Sequence, residues 1–305
     1  MQMYANLHTH SKHSDGGYTP KQLVEAAKRE GYGALALTDH DTISGCADVC
    51  AECEKNGLEY MLGVELNTPS KLLANQPKGM PDSHVISQFH IVGLNFDPEN
   101  APLKAYIQSL GERKTEMTRQ LFENAVKEGR LRGIEWDEVL EYNKDKTWIS
   151  GGQLSYAMKQ KGMLAENDFQ TLRKTVFGEY AKDAVEPFPY KPEHEIIKLI
   201  RDAGGIAVIA HPHMQLFCLD ALVEMGINGV EVHHPELTEE EKQAVCKYAI
   251  DKNLYISGGS DHYGSCSGYY ERTARPEDSR FYREPFIYGT SKQYFNEIKN
   301  KKLNR

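Results

Sequence analysis

The constraint that dominates this sequence is the placement of its 12 histidines. They and several carboxylates fall, group after group, at or near the ends of short apolar runs. Strands are predicted over Met3–His8, Ala34–Thr38, Tyr60–Leu66, Phe89–Phe96, Ile206–Ala210, Gly229–His233 and Leu254–Ser257. The first leads into His8-Thr9-His10 and then Asp15, the second into Asp39-His40-Asp41. Glu65 closes the third, His90 lies on the fourth, and His211-Pro212-His213 follows the fifth. His233-His234 ends the sixth, and Ser260-Asp261-His262 follows the seventh. Most of these runs are apolar without strict alternation, the pattern of parallel strands buried on both faces.

Helical stretches separate the strands, so the chain has an α/β order. One helix is expected to open at Thr19-Pro20, with Thr19 as N-cap, Pro20 at the first helical position and Gln22 completing a capping box. Leu23, Ala26 and Ala27 form its buried stripe, and Gly31 its left-handed stop. Further helices are expected from about Glu193 to Ala203 and from about Glu239 to Lys252. From about Pro102 to Tyr190 no strand is predicted. That stretch holds helical segments at Leu103–Glu128, Trp136–Tyr142, Gln153–Gln160 and Asn167–Phe177, then the proline-rich EPFPYKP. The expected architecture is a TIM-like barrel of seven strand–helix units formed by 1–101 and 186–305. A helical insertion, 102–185, lies between the fourth and fifth strands and is expected to cap the substrate.

Composition removes several classes of function. Lys and Arg total 36 against 44 Asp and Glu, a net charge of −8, which speaks against a general nucleic-acid coat. No apolar run approaches the roughly 18 residues of a membrane span, and no secretory signal pattern is visible near Met1. Six cysteines in 305 residues do not make a disulfide framework and are expected as reduced thiols of a cytoplasmic protein. Cys46, Cys50 and Cys53 share one helical face and are expected to be small packing residues.

The chemistry follows from residue type and spacing. His8 and His10 stand two residues apart on an extended chain and therefore share a face. Imidazole nitrogens mixed with carboxylate oxygens suit Mn, Fe or Zn better than Ca or Mg. So many converging ligands exceed what one tetrahedral ion uses, which points to two or three divalent metal ions. Glu65 or Asp261 is placed to bridge ions, and Asp15 with His40 to hold a further one. Packed cations lower the pKa of a bridging water and polarise a phosphoryl or carbonyl oxygen. Hydrolysis with a metal-bridging hydroxide as nucleophile is the expected reaction.

The runs LHTHSKHSDG, ALTDHDT, GVEL, HIVGL, AHPH and GGSDH together resemble the motifs of the PHP (polymerase and histidinol phosphatase) superfamily, and the likeness extends over nearly the whole chain. The resemblance implies a distorted (β/α)7 barrel, a trinuclear site and a stand-alone phosphoesterase. It assigns one ion to His8, His10, Glu65 and Asp261, and a second to Glu65, His90 and His211. A third takes Asp15, His40 and His262. One motif departs from the family's Ser-Asp-x-His: His262 follows Asp261 directly, and on a regular strand the two would face opposite sides.

Substrate contacts are expected from His213, from His234 as phosphate contact or proton donor, and from Arg113 of the insertion, a cation to meet phosphate charge. Asp39 and Asp41 are expected to orient groups around His40, and His13 and His84 to be solvated loop residues. Gly258-Gly259 is expected to permit close packing at the barrel mouth. The expected substrate is a small phosphate ester, of a nucleotide or a sugar, with a cyclic phosphodiester as the rival. A metal-dependent amidohydrolase shares the first-strand H-x-H, but Asp15 and Glu65 fit it less well and the fourth strand offers no Lys to bridge as a carbamate. A structural PHP module of a polymerase would show eroded ligands, which this chain retains. Short oligonucleotides remain admissible, whereas the acidic charge disfavours long nucleic acids, and no membrane partner is expected.

Overall fold

The structure, a computed structural model, describes residues 3–75, 88–144, 146–164, 190–213, 215–261 and 288–303. Seven strands form one sheet in sequence order: β1 (Ala5–Asn6), β2 (Ala34–Leu37), β3 (Glu59–Pro69), β4 (Gln88–Leu94), β5 (Ile206–Ile209), β6 (Gly229–His233) and β7 (Tyr255–Gly258). The ends of the sheet meet. Leu7 N–H donates to Gly258 O (3.3 Å) and Asp261 N–H to His8 O (3.0 Å), while Thr290 bonds both Ala5 and Gly258. The result is a nearly closed barrel. Gly259 makes the seam possible, because a Cβ there would sit 2.4 Å from the His8 backbone nitrogen.

The described helices are α1 (Pro20–Arg29), α2 (Cys46–Asn56), α3 (Ala101–Lys127), α4 (Trp136–Tyr142), α5 (Gly151–Gln160), α6 (Glu193–Asp202), α7 (Leu219–Glu224), α8 (Glu239–Asp251) and α9 (Lys292–Asn300). At the start of α1, Thr19 Oγ1 accepts from Gln22 N–H (3.3 Å) and Gln22 Oε1 accepts from Thr19 N–H (3.0 Å), the reciprocal cap expected there. Gly31, at φ 85°, ends the helix. Its buried stripe packs with Cys46, Val49 and Cys53 of α2 against the outward residues Leu35 and Leu37 of β2. Burial pushes the Cys46 and Cys53 thiols up to about 12, so they act as inert packing groups, as expected. The alternate residues Ala34 and Ala36 point into the barrel, where Phe295 and Ile298 of α9 join them.

Two expectations need correction. The first strand shortens to Ala5–Asn6, with His8 and His10 on the extended chain beyond it. The second is strand direction: β4 runs antiparallel to both neighbours, pairing Asn67 with His90 and Val92 with Val208, while the other pairs are parallel. The connection 70–87 carries Pro77, Gly79 and Pro81, and its described part forms only a 3-10 turn, Leu72–Asn75. The reversal has a functional effect. His90 lies near the beginning of β4, so only an antiparallel β4 brings it to the mouth where the other strands end.

Helices α3, α4 and α5 follow β4 and build a second small core from Phe122, Ala125, Leu131, Ile134, Val139, Leu154, Ala157 and Met158. The helix expected over Asn167–Phe177 lies outside the described residues.

Candidate metal centre

Glu65, on the inward face of β3 and fully buried, is the hub of the barrel mouth. Its Oε2 lies 3.3 Å from His8 Nε2, 3.2 Å from His10 Nε2 and 3.1 Å from His40 Nδ1. Its Oε1 lies 2.9 Å from His90 Nδ1 and 3.4 Å from His211 Nε2. Opposite it, Asp261 Oδ1 is 3.0 Å from His10 Nε2 and 3.5 Å from His8 Nε2, and Oδ2 is 3.6 Å from His234 Nε2. Asp15 stands at the rim, 3.9 Å from His10 Nδ1 and 3.8 Å from His40 Nε2. The chain bends sharply to aim these groups: His211, Asp261 and Asp41 hold left-handed φ values of 28°, 50° and 53°. Such backbone costs free energy and persists where the surroundings dictate it.

The donor set fits divalent cations. Four groups have ligand atoms within 4.8 Å of one another: His8–His10–Glu65, His8–His234–Asp261, His10–Asp15–His40 and His40–Glu65–His90. His8 Nε2, Glu65 Oε2 and His234 Nε2 are buried and make no hydrogen bond among the described residues. Buried polar atoms are rarely left so. Here their lone pairs face common spaces, the arrangement that a shared cation satisfies.

Electrostatics point the same way. Burial opposes ionisation of Glu65 and Asp261, yet the surrounding imidazoles hold both carboxyls well below the usual range: His40, His8 and His90 act on Glu65, and His8, His10 and His234 on Asp261. Burial lowers His10, but Asp261 and Glu65 outweigh it and raise the imidazole to about 10. His40 goes the other way, to about 3: burial dominates, opposed by Glu65 and reinforced by His10 and His90. Its neutral ring is ready to ligate.

A second layer of carboxylates holds the ring of ligands, and sequence reasoning missed two of its members. Glu231, fully buried on β6, accepts from His8 Nδ1 (2.9 Å) with one oxygen and from the His211 backbone N–H (2.7 Å) with the other. Glu236 lies 3.3 Å from His211 Nδ1, and that imidazole helps hold its carboxyl down at about 2 against the effect of burial. The available signal was a charged residue between two valines in a strand predicted to be buried on both faces, which demands a partner. Asp39 accepts from Ser11 N–H (2.7 Å), Ser11 Oγ (2.6 Å) and Ser14 Oγ (2.6 Å), which ties down the loop carrying Asp15.

The structure thus brings together His8, His10, Asp15, His40, Glu65, His90, His211 and Asp261. His234 joins them as a potential ligand rather than standing apart. His213 stands aside, its Nδ1 held by Glu241 of α8 at 2.9 Å. On α3, Lys114 reaches Asp41 at 2.7 Å and lies 4.2 Å over the Trp148 ring, immediately beside the Arg113 singled out in the sequence. His13 is half-buried rather than fully solvated: it packs against Gly45, with Nδ1 3.1 Å from Ser44 Oγ. His84 and His262 lie outside the described residues.

A barrel whose strand ends converge on a histidine–carboxylate ring defines a class of hydrolase, and a model of the PHP domain matches residues 6–257. The chain belongs to the PHP domain family and is a metal-dependent phosphoric ester hydrolase. It is 27% identical over 273 residues to a 3',5'-nucleoside bisphosphate phosphatase of Chromobacterium violaceum, covering 86% of this chain and 88% of that protein. It is 28% identical over 268 residues to a phosphoribosyl 1,2-cyclic phosphate 1,2-diphosphodiesterase of Eggerthella lenta, covering 86% and 95%. A 5'-3' exoribonuclease of Haemophilus influenzae is also 28% identical, over 86% and 90%. Among solved structures, one from Bifidobacterium adolescentis shares the fold at a TM-score of 0.72 and 24% identity, covering 99% of this chain and 97% of its own. An amidohydrolase from Chromobacterium violaceum with bound sulfate superposes at a TM-score of 0.63 and 25% identity, over 85% and 87%. No described helix is long and apolar enough to cross a membrane.

Proposed function

We propose that this protein hydrolyses small phosphate esters of a nucleotide or sugar, using two or three divalent ions, Mn, Fe or Zn, held at the barrel mouth. The observation that carries the reading is the buried ring around Glu65, whose two oxygens face five imidazoles. His8, His10, Glu65 and Asp261 would hold one ion, Glu65, His90 and His211 a second, and Asp15 with His40 a third, with His234 available to the Asp261 side. When bound, such ions polarise phosphoryl oxygens and bring the pKa of water toward neutrality. The chain's own groups set the geometry. Glu65 joins the ligand sets, and Glu231 fixes the tautomer of His8, so that Nε2 faces the centre. His213, polarised by Glu241, and Arg113 of the insertion would meet the substrate's charge. The insertion, 102–185, serves as the substrate cap. A cytoplasmic setting agrees with the free cysteines Cys46, Cys50, Cys53, Cys218 and Cys246 among the described residues.

The bisphosphate phosphatase, the cyclic phosphodiesterase and the exoribonuclease named above support the ester class and leave three substrate shapes to separate. A phosphate-release screen with added Mn would compare nucleoside monophosphates, nucleoside bisphosphates, sugar phosphates, cyclic phosphates and a short RNA. Release from one small-ester class at two or more ions per chain is expected. Exclusive action on the RNA, or bound metal without release from any substrate, would overturn the small-ester reading.

A further inference from the structure

Among the described residues, Gln153, Lys114 and Thr147 of the insertion bond two loops of the barrel mouth, and those loops carry Asp15 and His40. Gln153 of α5 donates from Nε2 to the Ser14 carbonyl (2.7 Å), one residue before Asp15. Lys114 of α3 pairs with Asp41 (2.7 Å), one residue after His40. Thr147 Oγ1 meets Thr42 Oγ1 at 3.2 Å. These contacts are well made. Asp41 is buried, and its two oxygens also accept from Asn67 N–H (3.3 Å) and Asn67 Nδ2 (3.1 Å). Gln153 is buried too, and its other amide atom, Oε1, accepts from Ser150 N–H (3.1 Å) and Ser150 Oγ (2.6 Å), so one side chain both caps α5 and docks it.

The remaining ligand groups are held differently. Glu65 and His90 sit on paired strands, and His8 and His211 are tied by Glu231 from inside the barrel. Among the described residues, Asp15 and His40 are the gathered ligands whose loops are bonded to the insertion. Asp15 is also the most exposed of them, with 35% of its side chain accessible. From beneath, Asp39 grips Ser11 and Ser14; from above, Gln153 holds the Ser14 carbonyl.

We infer that Gln153 and Lys114 are positioning residues for one ion only, the one taken by Asp15 and His40, so that docking of the insertion completes this part of the site. The inference rests on the metal-centre reading above and adds that the insertion governs occupancy as well as covering substrate. Outer partners of ligands commonly change affinity by about 10- to 100-fold; Asp15 lies in a turn and depends on them most, whereas His40 is also bridged to Glu65 of β3 through Asp41 N–H to Glu65 O (2.8 Å).

The test is a Mn titration of the full-length apo-protein, with metal content measured after gel filtration and folding checked by thermal melting. Gln153→Glu keeps the acceptor that caps α5 and removes only the donor to Ser14. Lys114→Met removes the link to Asp41. Each change makes the mouth more negative, which by Coulomb attraction alone would strengthen cation binding. The expected result is the opposite: roughly tenfold weaker binding of one ion per chain, with the other ions retained. Lys114→Arg should restore it. Unchanged or tighter binding in both variants overturns the inference, and so does uniform weakening of every ion. An unaltered protein that binds no Mn, Fe or Zn at all fails at the metal-centre reading itself and overturns both.

Discussion

Glu231→Gln isolates the layer behind the ligands. The carboxylate uses one oxygen for His8 Nδ1 at 2.9 Å and the other for the His211 N–H at 2.7 Å, with no solvent access. Glutamine has the same shape but only one acceptor. Whichever way the amide turns, a buried donor faces an NH2 group, at a cost of about 1–3 kcal/mol. If the amide turns toward His8, the imidazole must accept at Nδ1 and carry its proton on Nε2, the atom aimed at Glu65 and Asp261. That tautomer cannot ligate a cation. Metal affinity should therefore fall by about 10- to 100-fold, or about 1.4–2.7 kcal/mol. Chelator competition with Mn or Zn reads the affinity, and near-native thermal melting certifies the fold. Glu236→Gln supplies the charge control. It removes the same unit charge beside His211 but leaves an oxygen to accept from Nδ1, so its loss should stay within about threefold. Equal losses in the two variants would mean that charge, not tautomer control, explains Glu231. A folded Glu231→Gln protein with unchanged affinity would refute the reasoning outright.

Other consequences follow from the same geometry. Binding of the ion at His8 and His10 should release protons near pH 7, because the folded apo-protein holds the His8 imidazole well above its usual value and the His10 imidazole raised to about 10, and ligation requires neutral rings. Apparent affinity then weakens as pH falls, and the calorimetric heat should vary with the ionisation enthalpy of the buffer; buffer-independent heats would contradict this. Gly259→Ala places a methyl 2.4 Å from His8 N and Cβ, so it should cost about 1–3 kcal/mol of stability and lower metal content together. A stable variant with full metal content would show that the seam can yield.

Much of this protein was legible in its residues. Local rules operate over a few positions, so the Thr19–Gln22 cap, the Gly31 stop, the helix at Trp136–Tyr142 and the seven strands could be read from pattern alone. The gathered ligands were legible for a related reason. A histidine or carboxylate at the end of an apolar run has few ways to be satisfied, and a barrel sends its strand ends to one mouth. Tertiary structure decided what depends on partners distant in the chain. The reversal of β4 was not readable from its own apolar pattern, which parallel and antiparallel strands share, and it brings His90 to the mouth. Glu231 acquired its role from His8, 223 positions away, and Lys114 rather than its neighbour Arg113 meets Asp41 because of how α3 lies over the barrel. Periodicity assigns a residue to a face, whereas which distant group meets it there is set by packing.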